Sequence, residues 1–241
     1  MRTLFKRQVF QRALLLSLLT VTCSLPYVAV QMGKAESSWL QGRLHPFSPQ
    51  EAFAGQVGMM LWVAFCCAGF GFAWGTKDGM PGLGFDRVRS SRISVCMLLG
   101  LFMAGALFLL RAWAWRKGIG MAIPDSIGAG MAELLHGVFF YEIVARFGAI
   151  SWMNRLIRRK TVSAVAMGCL FALLGAQQAR WLGYEELFPG SLRFTYTCLQ
   201  LSIEVVLGLF FVRWGLWSAS LTHGVMGLQG ILLPLTLGRI S

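Results

Sequence analysis

Long apolar runs recur along the whole chain and are separated by shorter polar and basic segments. A run of about 20 apolar residues can cross roughly 30 Å of hydrocarbon as one helix. A helix also satisfies its own backbone hydrogen bonds in lipid. The sequence therefore predicts an all-α fold, a polytopic transmembrane helical bundle with about seven spans. We place these spans at residues 13–32, 52–74, 93–115, 126–150, 161–182, 194–213 and 216–237.

The composition agrees with a membrane protein. Of the 241 residues, 56% are hydrophobic and only 13% are charged, a more apolar and less charged composition than the average soluble domain has. A net charge of +12 would suggest nucleic-acid binding in a soluble protein. Here the bases lie in short loops beside apolar runs, where they face anionic headgroups. We therefore expect the lipid bilayer as a partner, and no nucleic acid.

The basic residues also predict the topology. The first apolar run follows Arg2, Lys6, Arg7 and Arg12, a pattern shared with secretory signal peptides; we interpret it as a first membrane helix. With the amino terminus in the cytoplasm, thirteen Lys and Arg residues lie inside and seven lie outside, as the positive-inside rule favours. We expect an integral protein of the bacterial inner (plasma) membrane with a cytoplasmic amino terminus.

The fourth apolar run carries four ionisable residues at membrane depth, Glu133, His136, Glu142 and Arg146. Such a residue costs about 2.5–3.5 kcal/mol on insertion scales, so each one needs a partner or a function. Glu142 and Arg146 are one helical turn apart and can form an ion pair on one face. Glu133 and His136 also share a helix face. For both pairs we favour a structural contact over catalysis.

Two later runs add further candidates. Glu204 lies near the middle of the sixth run, and His223 lies in the seventh. A buried carboxylate is costly unless it is paired, so we expect Glu204 to face His223 or Arg146. A Glu–His pair could bind a water or a metal, or could form a satisfied polar contact, which we favour. We expect Arg111, near the end of the third run, to snorkel outward to the interface.

Three segments of the second half together resemble the motifs of the CPBP family, the CAAX-protease and bacteriocin-processing intramembrane proteins. They are YEIVAR (Tyr141–Arg146), FALLG (Phe171–Gly175) and the stretch Leu207–Gly227, which contains His223. Family members carry Glu-Glu-x-x-x-Arg, Phe-x-x-x-His and His-x-x-x-Asn in this order. The resemblance implies three amino-terminal spans in residues 1–125, followed by a CPBP-like core of four spans in residues 126–241.

The chain departs from this pattern at the positions that carry chemistry in the family. There, the first glutamate is taken to activate water, while the histidines and the asparagine bind water or stabilise the oxyanion. This sequence has Tyr141, Gly175 and Gly227 at three of those positions. A phenol is a poor base at neutral pH, and glycine offers no side chain. The residues that survive are Glu142, Arg146, Phe171 and His223.

Two functions follow from the resemblance and its departures. The first is a catalytically impaired scaffold, assembly factor or accessory subunit of a membrane complex, with membrane-protein partners. The alternative is a divergent glutamic-type intramembrane peptidase that cleaves a membrane-anchored or prenylated peptide. In that case Glu142, or Glu204 as a substitute carboxylate, would activate water, His223 would stabilise the oxyanion, and Arg146 would remain from the family motif. The sequence names no cofactor and predicts no metal site.

Overall fold

The computed structural model describes residues 2–39, 48–75, 77–117, 124–181 and 190–237. Almost all of these residues are helical, and no strand occurs among them, which confirms the all-α prediction. The helices are α1 (Arg2–Trp39), α2 (Pro49–Phe70), α3 (Ser90–Arg116), α4 (Ile127–His136), α5 (Ser151–Ile157), α6 (Lys160–Trp181), α7 (Gly190–Trp214), α8 (Leu216–Gly227) and α9 (Gln229–Thr236). π-helical turns at Gly71–Gly75, Gly137–Tyr141 and Ile143–Ile150 extend α2 and join α4 to α5.

Within the described residues, five helical segments are long and apolar enough to cross a membrane. They are Lys6–Gly33, Gln50–Gly75, Ser90–Arg116, Ile127–Ile157 and Arg193–Trp214. These segments correspond to the first four predicted spans and to the sixth. The fifth predicted span corresponds to a shorter apolar segment, Lys160–Gly175. The seventh is divided between α8 and α9 by a turn at Leu228.

The two parts of the predicted division, residues 1–125 and 126–241, share one hydrophobic core. Phe147 is fully buried, and its ring packs edge-to-face against Phe72, at 4.9 Å between ring centroids, and Phe211, at 6.4 Å. Gly148 allows close approach of α2, because a Cβ atom there would lie 2.4 Å from that of Cys67. The helical segment Ile127–Ile157, which contains Phe147 and Gly148, is therefore held between α2 and α7. The division itself stays a prediction.

Three loops meet at one end of the bundle. The backbone N–H of Leu216 donates to the carbonyl of Gly82 at 3.0 Å, and Arg155 forms a 3.3 Å ion pair with Asp78. Gly215 has a φ of 103°, a backbone conformation that glycine adopts readily and other residues rarely adopt. It therefore permits the turn between α7 and α8. The loops after the second, fourth and sixth predicted spans thus share one end, as the predicted topology requires. Two of the seven basic residues predicted for the outer side of the membrane, Arg43 and Arg239, are not among the described residues.

Candidate functional site

The helical segment from α4 to α5 carries the central polar residues. Glu142 stands between the two π-helical turns, Gly137–Tyr141 and Ile143–Ile150. A π-helical turn widens a helix and changes the direction of the side chains that follow, and such turns are frequent at functional sites. Here they bring Tyr141, Glu142 and Arg146 against α7 and α8.

Arg146 is the centre of a buried cluster. Its side chain is fully buried, and its Nη2 donates to Oε2 of Glu204 at 2.5 Å. Its Nε lies 3.4 Å from Oε2 of Glu142, which is also fully buried. The distance gives strong attraction, although the two atoms do not have hydrogen-bond geometry. Two carboxylates thus compensate one guanidinium, which explains how a charged side chain is tolerated in this segment.

The second oxygen of each carboxylate contacts another side chain. Oε1 of Glu142 lies 2.7 Å from Nδ1 of His223, and the hydroxyl of Tyr141 donates to Oε1 of Glu204 at 3.0 Å. The cluster is therefore a continuous chain of contacts in the order His223, Glu142, Arg146, Glu204, Tyr141. A protonated His223 would balance its formal charges. The sequence left Glu204 to face either His223 or Arg146, and the structure places it on Arg146.

A glycine allows His223 to approach the site-bearing helix. A Cβ atom at Gly137 would lie 2.8 Å from Nε2 of His223, which is too close for any real side chain. One turn earlier on α8, Ser220 Oγ donates to the carbonyl of Val138 at 3.3 Å. The contact between α8 and the π-helical turn therefore holds the imidazole against Glu142.

The three segments that resemble family motifs meet at Tyr141. The ring of Phe171 packs edge-to-face on Tyr141 at 5.5 Å between centroids, and that of His223 does so at 6.0 Å. Gly175 and Gly227, where the predicted resemblance would require a histidine and an asparagine, differ in their surroundings. A Cβ at Gly175 would meet nothing within 4 Å, whereas one at Gly227 would lie 3.2 Å from Leu134.

Glu133 and His136 occupy a different environment from the central cluster. The His136 ring stacks on Tyr27 at 4.1 Å between centroids and on Phe140 at 5.0 Å. Its Nδ1 is buried and has no hydrogen-bond partner among the described residues. Glu133 interacts electrostatically with Tyr27. His136 therefore packs against α1, apart from the contacts described for Arg146.

Sequence reasoning missed the role of Tyr141 and the direction of Arg111. The sequence comparison treated Tyr141 only as the replacement of a catalytic glutamate. Its hydroxyl donates a hydrogen bond to Glu204, a residue on another helix. Arg111 does not extend outward as expected. Its Nη1 donates to Oε1 of Gln229 at 3.2 Å, because the turn at Leu228 sets this buried amide opposite α3. Both contacts join distant segments, which no local pattern reveals.

No known protein family, curated protein or solved structure matches this chain.

The geometry limits what the cluster can do chemically. Both carboxylate oxygens of Glu204 accept hydrogen bonds from side chains. Oε1 of Glu142 contacts Nδ1 of His223, and Oε2 faces Arg146. In the part of the chain that the structure describes, no group of three or more His, Cys, Asp and Glu residues is arranged to hold a metal ion. The contacts of the cluster stabilise the charged side chains of Glu142, Arg146 and Glu204 inside the bundle.

Proposed function

We propose that this integral membrane protein has a CPBP-like core, is catalytically impaired, and acts as a scaffold, assembly factor or accessory subunit of a membrane complex. One observation carries the proposal: the carboxylates of Glu142 and Glu204 are engaged with Arg146, His223 and Tyr141. A general base has to reach the water that it deprotonates. Carboxylates committed to a buried guanidinium instead hold three helices together.

The meeting of the motif positions supports the CPBP-like core. Tyr141, Phe171 and His223 belong to three different helical segments, and the rings of Phe171 and His223 both pack on that of Tyr141. The replaced positions support impaired catalysis. The Tyr141 hydroxyl donates a hydrogen bond to Glu204, whereas a catalytic carboxylate would accept one. Gly227 packs on Leu134 where the family has asparagine.

Exposed aromatic side chains support a role in contacting other membrane proteins. Trp62 on α2, Phe102 on α3 and Phe194 on α7 are 66%, 73% and 72% exposed. Such rings offer large apolar contact areas to lipid and to partner helices. The basic end, which includes Arg155 and Lys160, faces the cytoplasm of a bacterial inner membrane in this proposal, as the positive-inside rule favours.

Peptide release and co-purification test the proposal together. The wild-type protein and a Glu142→Gln variant are purified in mild detergent and incubated with membrane-anchored and prenylated peptides. We expect no release above a detergent blank from either protein. We also expect a partner membrane protein to co-purify with the wild type in fixed stoichiometry. Release that requires Glu142, from a variant that retains its fold, would overturn the proposal.

A second candidate, the divergent glutamic-type peptidase, is favoured by one feature of the cluster. Oε2 of Glu142 and Nη1 of Arg146 are buried without a hydrogen-bond partner among the described residues. Buried polar atoms of this kind commonly bind an internal water. Under this alternative Glu142 would activate that water, and His223 would stabilise the oxyanion. Glu142→Gln and His223→Asn would then both abolish peptide release, whereas Ser220→Ala would retain it.

A further inference from the structure

Arg111 is a second arginine within a membrane-spanning helix. It lies five residues before the end of α3 at Arg116, which is about 7–8 Å along the helix axis. Its Nη1 donates to the amide oxygen of Gln229 at 3.2 Å. Its Nε is buried and has no hydrogen-bond partner among the described residues. The side chain is thus held inside the bundle with part of its hydrogen-bonding capacity unused.

The hydrogen-bond partner of Arg111 is a neutral side chain. A guanidinium stays protonated in proteins, and its partner Gln229 is a neutral amide that is only 7% exposed. Among the described residues, no carboxylate forms an ion pair with Arg111. A cation at this depth is costly without a counter-charge. An anion from outside the chain would supply it.

The position and shape of the guanidinium identify the kind of anion. Trp113 and Trp115 follow on the same helix, and aromatic residues near a span end mark the headgroup level. Arg111 is therefore within reach of lipid phosphates. Nη1 donates to Gln229 and Nε is buried, which leaves Nη2 as the donor that a phosphate oxygen outside the chain can reach.

We infer that Arg111, oriented by Gln229, anchors the phosphate of an anionic phospholipid where α3 and α9 meet. A lipid with a net negative charge, such as phosphatidylglycerol, compensates the guanidinium. Phosphatidylcholine brings its own cation and compensates it less well. The inference does not depend on the proposed scaffold function, because it concerns the contact between α3 and α9 and not the central cluster around Glu142.

Lipid-dependent stability of the full chain tests the inference. The protein is purified in detergent, and its melting temperature and retained lipids are measured with phosphatidylglycerol, phosphatidylcholine or inorganic phosphate added. We expect phosphatidylglycerol to raise the melting temperature and to remain bound in native mass spectrometry. Arg111→Gln should weaken this binding about 10- to 100-fold, the loss expected for hydrogen bonds to a charged group. Arg116→Gln, an exposed base on the same helix, should leave it unchanged.

A second variant keeps the test decisive if Arg111→Gln fails to fold. Gln229→Glu places a carboxylate of nearly the same shape on Arg111, so the protein folds and supplies its own counter-charge. We expect this variant to lose the response to phosphatidylglycerol. An unchanged response in Gln229→Glu would overturn the inference. An equal effect of phosphatidylcholine would also overturn it, because it would indicate general solvation by lipid. A full effect of inorganic phosphate would overturn it too, because it would indicate a site for free anions.

Discussion

Arg146 and Arg111, which lie within two different membrane-spanning helices, are held in opposite ways. Arg146 is fully buried between Glu142 and Glu204, so the protein itself provides two negative charges. Arg111 is half-buried beside the neutral Gln229. Two carboxylates face Arg146, which makes it part of an internal structural cluster. A neutral amide faces Arg111, which can therefore accept an anion. The comparison makes testable predictions for both regions.

The largest effect is expected when the guanidinium is removed from the central cluster. Arg146→Met leaves Glu142 and Glu204 buried close together without a positive partner. We expect the free energy of unfolding to fall by about 3–5 kcal/mol, as when one partner of a buried ion pair is removed. Denaturant unfolding in detergent measures this change. Arg159→Met, at an exposed position, is the control, and an equal loss there would contradict the prediction.

A smaller loss is expected when His223 is displaced from Glu142. In Gly137→Ala the new Cβ would lie 2.8 Å from Nε2 of His223, so the imidazole has to move. Such overpacking costs about 1–3 kcal/mol. Gly105→Ala is the matched control, because a Cβ there meets nothing within 4 Å. Equal melting temperatures for the two variants would show that the contact between α8 and the π-helical turn is not tightly packed.

Tyr141→Phe removes one hydrogen bond and keeps the ring. The lost bond joins the Tyr141 hydroxyl to Oε1 of Glu204, and the contact with Phe171 remains. We expect a loss of about 1.5 kcal/mol in the free energy of unfolding, the lower end for bonds to a charged group. The same denaturant measurement checks it. No loss would mean that Glu204 gains nothing from the tyrosine.

The smallest effect is expected at the other arginine. Arg111→Met removes a hydrogen bond to Gln229 but also removes an uncompensated charge from the bundle. No carboxylate among the described residues pairs with that charge, so the two effects oppose each other, and in lipid-free detergent we expect a change within about 1 kcal/mol. A loss as large as that of Arg146→Met would contradict the difference between the two arginines, since it would mean that Arg111 also has a strong partner within the protein.

The helical class and the local pairing could be predicted from the sequence. Apolar runs of spanning length determine where helices form, and residues four apart on a helix share a face, so Glu142 and Arg146 pair as expected. The partner of Glu204 could not be chosen in advance. The choice between Arg146 and His223 depends on how α7 rotates against its neighbours, and the apolar run around Glu204 does not determine that rotation.

The features that the sequence did not predict arise from interruptions of regular helices. The π-helical turns around Glu142 change which side chains face α7 and α8, and a helix of constant period gives no sign of them. The turn at Leu228 likewise sets Gln229 opposite Arg111, which therefore bonds inward. The catalytic roles suggested for Glu142, Arg146, Glu204 and His223 stay predictions.

A double-mutant cycle between Arg146 and Glu204 tests most directly whether the cluster is an internal structural pair. Their side chains are 2.5 Å apart, so Arg146→Met and Glu204→Met disturb the same contact. We predict that the double variant loses less free energy of unfolding than the sum of the single losses, with a coupling of about 1–3 kcal/mol. Single losses that add within about 0.5 kcal/mol would contradict it, because residues that do not interact behave in that way.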